Sequence, residues 1–119
     1  MTKYQRKELN KLLHQVIEAR DKVCLKCGKT ETLAAAHIWP KGQYRKIEYD
    51  TRNLVLLCYA CHILWAHKNP RGFTTWLNET LDKKRLKEID LLANTIIRAP
   101  LDYQLIKLRL EQELQNYDR

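Results

Sequence analysis

All four cysteines of this chain fall in two Cys-x-x-Cys pairs, Cys24/Cys27 and Cys58/Cys61. A two-residue spacer lets both sulfurs of one turn reach a single ion, and two such turns complete a tetrahedral shell. Four thiolates with none left over predict a closed structural zinc site. Thirty residues separate Cys27 from Cys58, so the insert must fold as a small unit of its own. A closed tetrathiolate ion does no chemistry. Any activity must come from the insert and the residues beside it.

Composition agrees with metal rather than disulfide. Residues 1–20 are charged throughout and read as no signal peptide. No apolar run approaches the roughly 20 residues that cross a bilayer. The expectation is an intracellular, cytoplasmic protein with no membrane partner, where paired cysteines bind metal. The 119 residues fit one domain, 1–119. A chain this small gains from a metal staple. Lys plus Arg number 22 against 14 Asp plus Glu, a net charge of +8. The excess lies in residues 1–98, where the motif is, and residues 99–119 are slightly acidic. That distribution predicts a polyanionic partner, DNA first.

Residues 3–20 read as a helix, with Leu9, Leu12, Leu13, Val16 and Ile17 on one stripe and His14 beside it. Cys24 to Gly28 reads as a turn in which glycine takes positive φ. Residues 34–39 and 54–57 are short apolar runs suited to strands. Residues 60–68 can form a helix that Asn69-Pro70 ends. Residues 74–97 are helical in pattern, with a break near Asp82. Residues 101–116 form a last helix, with Leu101, Leu105, Leu108 and Leu114 expected to face inward. Trp39, Trp65 and Trp76 read as core rather than as base-stacking platforms. Of the basic cluster Lys83, Lys84, Arg85 and Lys87, ordinary solvent exposure is expected. The fold class is α+β: a core over 24–70, an N-terminal helix over 1–20 and a helical part over 73–117.

Inside the knuckles lie His37, then Asn53, then His62 directly after Cys61. Taken singly, each has a structural explanation. Taken in order and within two Cys-x-x-Cys pairs, they resemble the HNH endonuclease motif, a ββα-metal unit. The segments Ala36-His37-Ile38-Trp39-Pro40 and Cys61-His62-Ile63-Leu64-Trp65-Ala66-His67-Lys68-Asn69-Pro70 look like small phage-encoded HNH proteins of the NinG/Rap type. The resemblance implies metal-dependent hydrolysis of DNA phosphodiesters. It implies His37 as general base, Asn53 as the residue that orients it, and His62 as ligand of a divalent ion. Products with 5′-phosphate and 3′-hydroxyl ends would follow. The catalytic ion would be Mg²⁺ or Mn²⁺, with Zn²⁺ as a third choice.

One position departs from the pattern. Many members carry an acidic residue or a second histidine before the catalytic histidine, and here that place holds Ala36. His67 is the first substitute. It lies five residues from His62, about 140° away on a regular helix, so it needs a distorted helix to help. Asp50 is a weaker substitute. Lys41, Arg45, Lys46 and Arg52, between His37 and Asn53, are the expected phosphate contacts. The competing reading is a non-catalytic, zinc-stapled nucleic-acid-binding module, and a protein-interaction adaptor stands behind it. A homodimer would serve double-strand cleavage.

Overall fold

The computed structural model describes residues 1–117. Helix α1 spans Lys3–Asp21, strand β1 Leu33–His37 and strand β2 Leu54–Cys58. A π-helix follows over Ala60–Ala66, then α2 over Pro70–Thr80, α3 over Lys83–Ala93 and α4 over Tyr103–Tyr117. Two single 3₁₀ turns, Arg45–Ile47 and Thr51–Asn53, lie between the strands. This α+β arrangement, with two strands followed by a helix and a four-cysteine cluster, has the form of a small ββα-metal fold.

Helix α1 begins where its sequence can cap it. The Thr2 hydroxyl accepts the Gln5 N–H, and the Gln5 side chain accepts the Thr2 N–H in return. Its buried stripe is Leu9, Leu13, Val16 and Ile17, as the spacing predicts. His14 lies off that stripe and meets Glu18 at 2.9 Å.

The strands pair antiparallel, Leu33 opposite Cys58 and His37 opposite Leu54. Every residue of β2 is buried. Alternation sends Leu54 and Leu56 toward α1 and α4, where Tyr49 and Leu110 complete a cluster. Val55 and Leu57 point the other way, onto Cys24, Cys58, Ala66 and Leu77. The unbroken apolar run of β2 therefore serves two cores, one on each face of the sheet. Each fully buried leucine contributes about 1.5–3 kcal/mol.

The expected break near Asp82 is present, and Asp82 caps α3 by accepting the Arg85 N–H. Asn69 likewise caps α2, with Pro70 at its first position, so α2 starts four residues before the expected helix. The last helix corrects an expectation. Leu110 is its buried residue, with Leu101, Tyr103, Ile106 and Leu114 packed beside it. Leu105 and Leu108 are 44% and 53% exposed. They lie about 140° and 200° around the helix from Leu110, so they cannot share its face.

Trp65, Phe73 and Trp76 form a half-buried aromatic cluster with ring centroids 6.0–6.1 Å apart. Trp39 packs edge-on against Tyr44 at 4.9 Å and donates its indole N–H to Asp90. Arg85 departs from the solvent exposure expected of its cluster. It is half-buried and donates to the carbonyls of Arg52 and Leu54. Arg20 of α1 donates to the carbonyls of Thr51 and Leu54 from the other side. Two guanidinium groups thus satisfy the backbone that leads through Asn53 into β2. Among the described residues, no helix is long and apolar enough to cross a membrane.

Candidate metal centre and histidine cavity

The first knuckle closes through a backbone bond from the Gly28 N–H to the Cys24 carbonyl, 2.8 Å. Gly28 sits at φ +83°, the left-handed region its place after Cys27 predicts. The Leu25 N–H donates to the Leu56 carbonyl, which fastens this knuckle to β2. Cys58 ends β2 and Cys61 lies in the first turn of the π-helix. The four Sγ atoms all lie within 4.8 Å of one another, with Cys27 and Cys58 at 3.5 Å. Tetrahedral Zn–S bonds of about 2.3 Å need sulfurs about 3.8 Å apart, so the four cysteines could hold a zinc ion with little movement.

The local field favours thiolate at some sulfurs and resists it at others. Burial opposes ionisation of Cys24, but backbone N–H groups of Cys58, Cys27 and Lys26 outweigh it and hold its pKa at about 6. The Cys61 N–H draws Cys58 down. Burial, then the neighbouring Cys58, Cys27 and Cys24, pushes Cys61 up. Full ionisation of such a cluster calls for a cation at its centre.

His37 is the last residue of β1. Its Nε2 lies 2.9 Å from the Glu48 carbonyl oxygen. A carbonyl only accepts, so Nε2 carries the proton and Nδ1 keeps its lone pair. Burial lowers the His37 pKa below its ordinary value, with the Glu48 carbonyl opposing and Lys41 assisting. Glu48 is itself 8% exposed and receives Arg6 at 3.2 Å. Residue-type reasoning does not single out Glu48, because a backbone carbonyl has no side-chain signature.

Asn53 is fully buried, in the turn before β2. Its Oδ1 accepts the Trp39 N–H at 2.8 Å, and its Nδ2 donates to the carbonyls of Trp39 and Ile47. The Asn53 carbonyl accepts the Ile38 N–H. Its hydrogen bonds go to the loop after His37 and to the residue preceding Glu48. Asn53 thus hydrogen-bonds near His37, as a brace on the backbone that carries that ring's partner.

His62 and His67 are where the helix departs from regularity. The His67 N–H donates to the His62 carbonyl, an i→i+5 bond of 3.1 Å. The wider turn stacks residues five apart on one side, which a regular helix does not. The two imidazoles meet edge to face, with centroids 4.5 Å apart. The distortion that His67 needs is therefore present. Burial, then His67 and His37, lowers the His62 pKa.

His37, His62 and His67 line one cavity of about 570 Å³. Ala36, Pro40, Pro70 and Phe73 supply apolar wall, and Lys41 stands at its side. Among the described residues no carboxylate lines it. Asp50 is not part of it, since that carboxylate caps the following turn and pairs with Arg52.

Of the four expected phosphate contacts, only Lys41 lines this cavity. Arg52 forms a two-point pair with Asp50 and a further bond to Glu88 at 2.9 Å. Its charge is matched within the chain. Lys46 donates to the Ala99 carbonyl. Arg45 is exposed, beside a separate small cavity against Leu92 and Ala93.

Residues 24–64 match the HNH endonuclease family model. The match takes in both knuckles, His37, Asn53 and His62, about a third of the chain, and stops before His67. The match supports nuclease-type or nucleic-acid-binding function, and the four cysteines within it could hold a metal ion. No curated protein matches the chain. No solved structure matches it either.

Proposed function

We propose that the chain is a metal-dependent DNA endonuclease. The observation that carries this reading is the His37 ring, fixed through Nε2 and left with a free Nδ1, in one cavity with His62 and His67. His37 takes a proton from water at Nδ1 as that water attacks the phosphorus. Asn53 holds the loop that fixes the Glu48 carbonyl, and so the ring's orientation. His62 and His67 hold a divalent cation. When bound, such an ion neutralises charge on the phosphate and assists departure of the 3′ oxygen. Lys41 binds a phosphate oxygen. The cysteine cluster holds zinc and keeps β2 and the π-helix in register. Products carry 5′-phosphate and 3′-hydroxyl ends. One cavity per chain cuts one strand, so double-strand cleavage requires two copies. The finer likeness to phage-encoded proteins rests on residues 36–40 and 61–70.

A non-catalytic zinc-stapled module is the second reading, and Ala36 is the feature that favours it. Incubation of zinc-loaded protein with supercoiled plasmid separates them. Divalent-ion-dependent nicking, abolished in His37→Ala, supports the enzyme. Salt-sensitive binding with no nicking under any divalent ion supports the module.

A further inference from the structure

The walls of the histidine cavity bear on which cation it accepts. Two imidazoles stand 4.5 Å apart because of the π-helical turn, and the place before His37 holds Ala36, which is 2% exposed. Among the described residues no carboxylate lines the space, and the Lys or Arg side chain that does is Lys41. Magnesium prefers oxygen ligands, usually at least one carboxylate, and gives up water reluctantly. Imidazole instead suits nickel and zinc, and affinity for such ligands rises along the first-row series toward copper. His37 stands apart from the pair, because among the described residues its ring nitrogens do not gather within 4.8 Å of those of both His62 and His67, and its free Nδ1 is the base in the proposed function.

We propose that His62 and His67 form a two-imidazole site selective for a late first-row transition ion over magnesium, with His37 outside the ligand set. This rests on the reading of the cavity as metal-dependent, and it goes further by excluding magnesium as the ion held by the free protein. Two neutral ligands leave the bound cation's charge uncancelled. The remaining coordination positions stay open to water and to phosphate oxygen. The π-helical register is what creates the site, since a regular helix would turn His67 away from His62.

The test is calorimetric titration of full-length protein already holding one equivalent of zinc, using Ni²⁺ and Mg²⁺ separately. One further equivalent of Ni²⁺ is expected to bind and no Mg²⁺ heat is expected at millimolar concentration. His62→Ala and His67→Ala should each weaken Ni²⁺ binding by more than about tenfold, the lower end of what loss of even a supporting partner costs. His37→Ala should leave Ni²⁺ affinity within about twofold, by the usual additivity of independent groups. Unchanged circular dichroism and zinc content show that each variant is folded. Magnesium binding as tight as nickel overturns the proposal. So does nickel binding that survives loss of both His62 and His67, or that is lost with His37. Plasmid nicking is scored separately. Nickel binding without nicking leaves the ion site standing and removes the nuclease reading. Nicking with magnesium bound as well as nickel does the reverse.

Discussion

The Nε2 of His37 donates to the carbonyl oxygen of Glu48 at 2.9 Å, and this bond decides which nitrogen of the ring can act as a base. The tautomer follows from the acceptor, not from the ring. His37→Ala should lower nicking by at least about 100-fold, the lower range for a general base. Zinc content and the thermal midpoint should change little. A gel assay on plasmid with matched metal loading checks this.

The pH dependence has a defined sign. His37 and His62 both lie below the ordinary histidine pKa in the folded chain. The base is therefore unprotonated at neutral pH, and the acid limb of the rate profile should lie below about pH 6.5. The same shifts act on stability. The unfolded chain binds more protons as pH falls, so stability is fully present above the unfolded pKa and is lost on acidification below about 6.5. Urea midpoints measured from pH 8 to pH 5 should fall only in the lower half of that range. H37Q/H62Q should show a shallower fall.

Asn53→Ala should destabilise the chain by roughly 3 kcal/mol. The substitution leaves the Trp39 N–H without its bond and takes a donor from the Trp39 and Ile47 carbonyls, at about 1–3 kcal/mol for each buried group left unsatisfied. Chemical denaturation measures the loss. Nicking should fall along with stability, because the Glu48 carbonyl loses its brace.

Zinc removal should loosen the sheet as well as the knuckles. Cys58 ends the strand whose residues fill both cores, and Leu25 is bonded to Leu56. A strong chelator should lower the thermal midpoint by at least about 10 °C, given that 1 kcal/mol shifts it by about 4 °C at this chain length. Calorimetry with and without restored zinc is the check.

Lys41→Ala and Arg52→Ala should behave differently toward DNA. Lys41 lines the histidine cavity, and Arg52 is matched by Asp50 and Glu88. Loss of Lys41 should reduce the salt slope of binding by about one phosphate contact. Loss of Arg52 should leave that slope unchanged and cost stability instead. Fluorescence anisotropy over a salt series distinguishes the two.

What residue spacing alone determined is whatever one turn or one period controls. The cysteine pairs, the positive φ at Gly28, the apolar stripe of α1 and the break at Asp82 all follow from neighbours a few positions apart. The order His37, Asn53, His62 was legible because the two cysteine pairs bracket it. Tertiary structure alone decided the rest. Which face of α4 goes inward depends on α1, so Leu110 is buried and Leu108 is not. Arg52 is matched because α3 brings Glu88 to it. The partner of His37 is a backbone carbonyl, which every residue owns and no composition reveals. The π-helical turn that joins His62 to His67 is a change of hydrogen-bond register, and side-chain spacing read on a regular helix points those two rings apart.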